Sequence, residues 1–170
     1  TIASGTVKPG DEIRILPSGK TAVIDRLVTQ DGDLSEAGAG QSLTLTLTTE
    51  VDASRGDVLC AAKAPLEVSD QFEVEVLWMG DEPMLPGRPY IIKTAARQVQ
   101  GTLDAIKYKV SVNPMEHVAA RTLSLNEIGI CNVSLDQSIA FDPYQQCRET
   151  GSFILIDRLT NATVGAGMIH

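Results

Sequence analysis

Hydrophobic and polar positions alternate along the chain, and no segment shows a sustained helical period. In Glu12–Leu16 the two isoleucines share one face, and residues 42–48 alternate leucine with serine or threonine. Residues 72–78 place two aromatic residues and two valines on one face and two glutamates on the other. A period of two is typical of strands that bury one face. The pattern predicts an all-β protein.

Glycine and proline divide the rest of the chain into short β-rich runs. Strands are predicted at residues 1–7, 21–30, 58–61, 90–94, 103–112, 118–125 and 128–135. Loops are predicted at residues 31–40, 80–87 and 142–150, and one helical turn at residues 52–57. Many short strands with such turns indicate barrels or sandwiches, and Pro65 interrupts pairing within residues 63–66. We predict two β-barrels in tandem, residues 1–63 and 64–170.

The C-terminal segment, residues 151–169, has the pattern of a β-hairpin. Two apolar runs flank a polar turn at residues 160–162, and the second run contains Gly165 and Gly167. Glycine within a strand marks a bend or a close approach of another backbone. We predict that this hairpin closes the second barrel, with Asp157 and Arg158 fixing or flanking its turn.

The charge and the cysteines restrict the classes of partner and the compartment. A net charge of −8 argues against nonspecific binding to nucleic acid or to an anionic membrane, because both need a basic face. No apolar run approaches the roughly 18–20 residues that span a membrane. The three cysteines are far apart and form no CxxC pair, which predicts reduced thiols and a cytoplasmic location.

No catalytic, cofactor-binding or metal-binding residue is predicted in these 170 residues. Gly19, Lys20 and Thr21 match the end of a phosphate-loop pattern, but Arg14 replaces its first glycine and a β-like run follows, so a hairpin turn is predicted. His117 is predicted in an exposed loop, and His170 is terminal. Trp78 is predicted in the core. The loop carboxylates are predicted to be solvated rather than to bind a cation, namely Asp31, Asp33, Asp81 and Glu82.

Five short motifs resemble translation-factor-type GTPases of the elongation factor Tu family. Their order along the chain matches the family's second domain followed by its third domain. The second-domain motifs lie at residues 5–12, 37–40 and 55–59, and the third-domain motifs at residues 72–76 and 163–169. The resemblance implies two barrels that follow a GTPase domain, and we expect the chain to be a fragment whose first barrel lacks its first strand.

Within that family, the amino-acid sequence of the second unit resembles the GTPase large subunits of bacterial heterodimeric sulfate adenylyltransferase. The matching segments are residues 125–129, 140–144, 151–158 and 161–167. In elongation factors the turn at residues 157–163 tends to be glycine-rich and basic, and this chain departs from that pattern. Large subunits that are fused to an adenylylsulfate kinase domain would show the same sequence at residues 151–158 and 161–167.

The resemblance implies an assembly in which a small catalytic subunit makes adenylylsulfate and pyrophosphate from ATP and sulfate while the large subunit hydrolyses GTP. GTP and Mg²⁺ belong to the GTPase domain, so the 170 residues are expected to act as a scaffold without a cofactor or active site. The implied partners are that GTPase domain and the small subunit, with contact surfaces expected at residues 80–88 and 142–150. A translation-factor fragment that binds aminoacyl-tRNA or the ribosome is the alternative, and a stand-alone barrel enzyme is a third hypothesis.

Overall fold

The structure is a computed structural model that describes residues 1–110, 117–118 and 120–170. Within these residues it contains strands and turns and no helix, so none is present that could span a membrane. The chain divides into two compact units, Thr1–Glu67 (unit 1) and Val68–His170 (unit 2). This division lies near the predicted linker, at Glu67 rather than at residue 63. The predicted all-β class is confirmed.

Unit 1 is an open, antiparallel β-structure. Its main sheet has the order β4-β3-β2-β7, β6 also pairs with β3, and β1 pairs with β5. Ile13, Ala22, Ile24, Leu27 and Ala37 form the buried core on one face of this sheet. The strands are β1 Thr6–Val7, β2 Glu12–Leu16, β3 Lys20–Thr29, β4 Gly32–Leu34, β5 Ala37–Gly38, β6 Thr44–Leu47 and β7 Val58–Ala61. The predicted strand at residues 1–7 is therefore reduced to its last two residues.

The predicted loop at residues 31–40 is wrong, because β4 and β5 lie within it. Gly32 has a φ of 120°, which lets the chain reverse directly after β3. The returning strand is then tied to β3 by Arg26, which donates two hydrogen bonds to the Asp33 carboxylate at 2.6 and 2.9 Å. A glycine-rich segment thus forms a tight hairpin instead of an irregular loop.

The predicted helical turn at residues 52–57 is also wrong. The Asp57 carboxylate accepts a hydrogen bond from the Ser54 amide at 2.9 Å, and the Asp57 amide donates to the Ser54 carbonyl at 3.0 Å. Gly56 has a φ of 101°, which is outside the helical region. The acidic side chain therefore stabilises a non-helical turn that leads into β7.

Unit 2 is a closed six-stranded barrel. Its strands pair in the ring order β8-β13-β10-β9-β14-β15, and β15 pairs with β8 to close it. The core contains seventeen buried residues, among them Val74, Trp78, Tyr90 and Phe153. The strands of the ring are β8 Glu67–Trp78, β9 Pro89–Thr94, β10 Gln98–Leu103, β13 Ile128–Phe141, β14 Ser152–Ile156 and β15 Thr163–Ile169. Two further strands, β11 Tyr108–Val110 and β12 His117–Val118, extend the sheet beside β13.

The predicted strand at residues 103–112 is wrong, because β10 ends where that strand was expected to begin. The Asp104 amide donates to the Asn132 carbonyl at 2.9 Å, and the Lys107 amide donates to the Ile130 carbonyl at 2.8 Å. The chain therefore leaves β10 and then continues along the first half of β13 as β11. Residues 111 and 112 lie outside the described residues.

The strand predicted at residues 118–125 is not present among the described residues 120–125. Only His117–Val118 is a strand there, so the expected loop position of His117 is wrong, and its side chain lies outside the description. Asn126 has a φ of 64°, which turns the chain before β13. The strand predicted at residues 128–135 is present but extends to Phe141.

The predicted C-terminal hairpin is confirmed and contributes two neighbouring strands to the ring, β14 and β15. A Cβ atom on Gly167 would lie 2.1 Å from Cζ of Phe153, and one on Gly165 would lie 3.1 Å from the Leu77 carbonyl oxygen. Both glycines therefore occupy places where another part of the barrel approaches closely, as the sequence predicted.

Strand register defines the two ends of the barrel in unit 2. Trp78 at the end of β8 pairs with Gly165, and Ile156 at the end of β14 pairs with Thr163. The loop after Trp78 and the hairpin turn after Ile156 therefore share one end. Ser152 pairs with Met168, so the loop at residues 142–150, which precedes β14, lies at the opposite end.

Candidate functional site

The loop after β8 is held in place by its own buried side chains. The Trp78 indole is 3% exposed, which confirms its predicted core position, and its Nε1 donates to the Glu82 carbonyl at 2.7 Å. Met84 is fully buried, its amide donates to the Leu123 carbonyl at 2.9 Å, and its carbonyl accepts from the Thr122 hydroxyl. These contacts fix the loop to the segment before β13.

Asp157 connects the same loop to the hairpin turn. It is the buried charged residue of the described chain, at 6% exposure, and its Oδ2 accepts from Arg88 Nη2 at 2.6 Å. Its Oδ1 accepts from the amides of Leu159 and Thr160 at 2.8 and 3.0 Å. The hydrogen bonds from these amides, followed by the positive charge of Arg88, hold the pKa of the carboxyl below its usual range. The prediction that Asp157 fixes the turn is confirmed.

The segment before β13 forms the third part of this end. The Trp78 carbonyl accepts from the Asn126 amide at 2.8 Å, and the Trp78 amide donates to the Glu127 carbonyl at 2.9 Å. The Glu127 carboxylate accepts from the Ser124 amide at 2.7 Å and from Lys109 at 2.7 Å. Three loops at this end are thus joined by hydrogen bonds into one surface.

Four large apolar side chains project from these three loops. Met79 is 38% exposed, Leu125 47%, Leu85 52% and Leu159 84%. We call this set the apolar rim. The other exposed large hydrophobic residue recorded in unit 2 is Val68, at the start of β8. Large apolar side chains exposed at one end of the barrel make this end a candidate protein-binding surface.

The opposite end has a different character. In the loop at residues 142–150, the Thr150 hydroxyl donates to the Asp142 carboxylate at 2.6 Å, and the Arg148 guanidinium lies 5.9 Å from the Tyr144 ring centroid. The Tyr144 amide donates to the Ile169 carbonyl at 2.8 Å, which anchors the loop to the end of β15. We call the end of the barrel that carries this loop the polar end. The two loops predicted as contact surfaces therefore lie at opposite ends of one barrel.

The described surface depressions contain no arrangement suited to catalysis. One, of about 510 Å³ in unit 1, is lined by hydroxyl, amide and aliphatic groups of residues 28–30 and 42–44. Another, of about 160 Å³ in unit 2, contains Glu73, whose carboxylate is paired with Lys107, together with Asp104 and Asn132. Neither brings a nucleophile together with a base and an oxyanion-stabilising group.

The structure also shows where the other residues with possible chemical roles lie. Lys20 begins β3 directly after a turn at Gly19, which confirms the predicted hairpin turn instead of a phosphate loop. No group of three His, Cys, Asp or Glu side chains that could hold a metal ion occurs among the described residues. Cys60, Cys131 and Cys147 are buried and form no disulfide, and burial raises the pKa of Cys131 to about 12.

Sequence reasoning did not single out the apolar rim. A leucine in a turn is as typical of a core as of a surface, and no local pattern shows that Leu85, Leu125 and Leu159 lie at one end of a barrel. Only the hydrogen bonds between loops that are distant in sequence bring these residues together.

Family models match both units. Residues 71–170 match the GTP-eEF1A C-terminal domain-like family, and residues 1–60 match Elongation factor Tu domain 2. The chain belongs to the GTP-eEF1A C-terminal domain-like family, preceded by a unit of the elongation factor Tu domain 2 type. The resemblance to translation-factor barrels is confirmed.

The curated relatives narrow this class. The chain is 50% identical over all 170 residues to Sulfate adenylyltransferase subunit 1 of Aliivibrio fischeri (strain MJ11) and spans 36% of that protein. It is 49% identical over 169 residues to the Bifunctional enzyme NodQ of Rhizobium sp. (strain N33) and spans 26% of it. The chain thus spans about a third or less of these relatives. Among solved structures, Sup35 complexed with GDP matches 98% of this chain and 41% of its own with a TM-score of 0.84 at 15% identity, which shows the shared fold.

Proposed function

We propose that these 170 residues form the barrel pair of a GTP-hydrolysing large subunit of sulfate adenylyltransferase. The observation that carries the proposal is 50% identity over the whole chain to subunit 1 of that enzyme. The assembled cytoplasmic enzyme would convert ATP and sulfate to adenylylsulfate and pyrophosphate. GTP and Mg²⁺ would bind to a GTPase domain of the longer chain, and catalysis of adenylyl transfer would belong to the small subunit.

In this function the barrel pair acts as a scaffold and coupling module without its own turnover. Coupling between two sites requires an element whose contacts differ between two states. A rigid barrel with distinct surfaces at its two ends can transmit a shift of one contact to the other. The loops at residues 80–88 and 142–150 are the proposed contact surfaces, because binding residues concentrate in loops on rigid scaffolds.

The experiment is to titrate the small catalytic subunit with this protein in a calorimeter. We expect saturable heat with a one-to-one stoichiometry, and no binding at high micromolar concentration would refute docking by the barrel pair. A parallel titration with aminoacyl-tRNA at low and high salt tests the translation-factor alternative. Strong binding that weakens with salt would favour that alternative, because phosphate contacts release counterions.

A further inference from the structure

Asp31 lies at the tip of the hairpin that joins β3 to β4. β3 ends at Thr29 and β4 begins at Gly32, so the turn between them consists of Gln30 and Asp31. Residues 30–33 are all exposed. In the whole sequence, Asp31 is the one aspartate that is followed directly by glycine. The tip is therefore open to water, and exposed tips of this kind tolerate a local change of the backbone.

The side chain of Asp31 is not held by a partner. Among the described residues its carboxylate makes no hydrogen bond and no ion pair. Two positions further along, the Asp33 carboxylate accepts two hydrogen bonds from Arg26, at 2.6 and 2.9 Å. Rotation about the Cα–Cβ bond of Asp31 can therefore bring its Cγ atom towards the backbone nitrogen of the next residue without breaking any contact.

The residue after this carboxyl leaves its backbone nitrogen accessible. A Cβ atom on Gly32 would meet no heavy atom within 4 Å, and glycine has no side chain to shield its own nitrogen. Asp33 is instead followed by Leu34, whose side chain hinders a similar approach. Asp142 is followed by Pro143, which has no N–H to lose. Attack within one residue pair is an intramolecular reaction, for which the effective concentration of the nucleophile is high.

We infer that Asp31 is a site of spontaneous backbone modification, which passes through a succinimide ring and yields isoaspartate with solvent water as the co-reactant. The nitrogen of Gly32 attacks Cγ of the protonated carboxyl, and the carboxyl hydroxyl and the amide proton leave as water. Water then adds to the backbone carbonyl of the ring and breaks its bond to nitrogen. The main chain now runs through Cβ and Cγ, the former carbonyl carbon is a carboxylate, and no electrons are exchanged.

The modification would alter the pairing of β4. This strand has three residues, Gly32–Leu34, and its register with β3 depends on the two-residue turn. The Thr29 hydroxyl also donates to the Gly32 carbonyl at 2.8 Å. Isoaspartate adds one atom to the main chain inside the turn, and the length of a hairpin loop sets the register of its strands. We therefore expect this end of β4 to loosen as the protein ages, whatever the function of the chain.

The test incubates the folded full-length protein at pH 7.4 and 37 °C in ¹⁸O-labelled water, followed by digestion with trypsin in ordinary water and tandem mass spectrometry. The tryptic peptide of residues 27–55 contains both Asp31 and Asp33. We expect isoaspartate and one solvent oxygen at residue 31, increasing with time to at least about tenfold more than at Asp33, because a small difference in activation free energy changes a rate by this factor.

Two variants serve as matched controls. Asp31→Glu keeps the charge at an exposed position but would need a six-membered ring, so label at residue 31 should fall at least about tenfold. Asp33→Glu makes the same change two residues away and should leave the label at residue 31 as in wild type. An undiminished signal in Asp31→Glu would overturn the inference, because ring closure would then not depend on the aspartate.

Three further results would overturn it. Equal modification of Asp31 and Asp33 would show that neither the unpaired carboxylate nor the following glycine selects the site. Isoaspartate that forms in urea but not in the folded protein would show that the hairpin protects Asp31. Isoaspartate without the solvent label would exclude the succinimide route. None of these results bears on the proposed function, because the modification needs only this hairpin and water.

Discussion

The close packing of β14 against β15 leads to a sharp prediction at Gly167. A Cβ atom there would lie 2.1 Å from Cζ of Phe153 and 2.6 Å from both Cε atoms, far inside van der Waals contact. Phe153 is 4% exposed and belongs to the core of unit 2, so moving its ring would disturb the packing of the side chains around it. Inserting a methyl group into a packed core costs about 1–3 kcal/mol. We expect Gly167→Ala to lower the free energy of unfolding by about that amount.

Trp78 provides the assay for this prediction. It is the single tryptophan of the chain, lies in the core of unit 2, and should report that unit's urea unfolding by its fluorescence. The mechanism is tested by a double-mutant cycle with Phe153→Leu, which removes the ring atoms that the new methyl group would meet. In the Phe153→Leu background, Gly167→Ala should cost at least about 1 kcal/mol less than in wild type, because residues in contact show coupling of this size.

Two results would refute the reasoning. A cost of Gly167→Ala below about 0.5 kcal/mol would place it among ordinary surface substitutions, and the close approach of the ring would not limit the packing. An equal cost in both backgrounds would assign the effect to the backbone of β15 and not to the Phe153 ring.

Two further predictions concern ionisable groups. Because the pKa of Asp157 is lowered in the folded state, its contribution to stability is complete above the ordinary carboxyl pKa of about 3.9 and is lost as the pH falls through the folded value. In urea unfolding, Asp157→Asn should therefore have a lower free energy of unfolding than wild type near pH 7, and this difference should shrink below about pH 4. A difference that stays constant with pH would contradict this. Burial raises the pKa of Cys131 to about 12, so this thiol should react with a thiol reagent at pH 8 only after urea unfolds the protein. Mass spectrometry can follow the labelling, and rapid labelling of Cys131 in the native protein would contradict the prediction.

The strands that the sequence predicts best are those with uninterrupted alternation. Ile13 and Ile15 are 5% and 0% exposed, and Val74 and Val76 are fully buried, as their spacing predicts. In these segments each inward position carries a large apolar side chain, so the periodicity of two is visible without knowledge of any partner strand.

The missed strand β10 shows why other segments could not be predicted. Its inward positions are Val99, Gly101 and Leu103, and the central one has no side chain. A Cβ atom on Gly101 would lie 2.9 Å from the backbone carbonyl oxygen of Ser134 and 2.7 Å from side-chain atoms of both Ile92 and Leu135, so any larger residue would force part of the barrel to shift. In the sequence the same glycine reads as a turn signal, because the residues that exclude a side chain come from distant strands.

The turn at residues 157–163 carries both the sequence difference from elongation factors and one side chain of the apolar rim. Residues 157–163 distinguish the chain from the glycine-rich, basic turn that its resemblance to elongation factors would otherwise imply. In the structure, the departure consists of a buried Asp157 that accepts hydrogen bonds from the turn and from Arg88, and of Leu159, which is 84% exposed. The carboxylate neutralises the cation of the neighbouring loop, while the leucine replaces polar surface with apolar surface. A few residues of this turn therefore pair a buried carboxylate with the cation of the neighbouring loop and leave one apolar side chain exposed beside that pair.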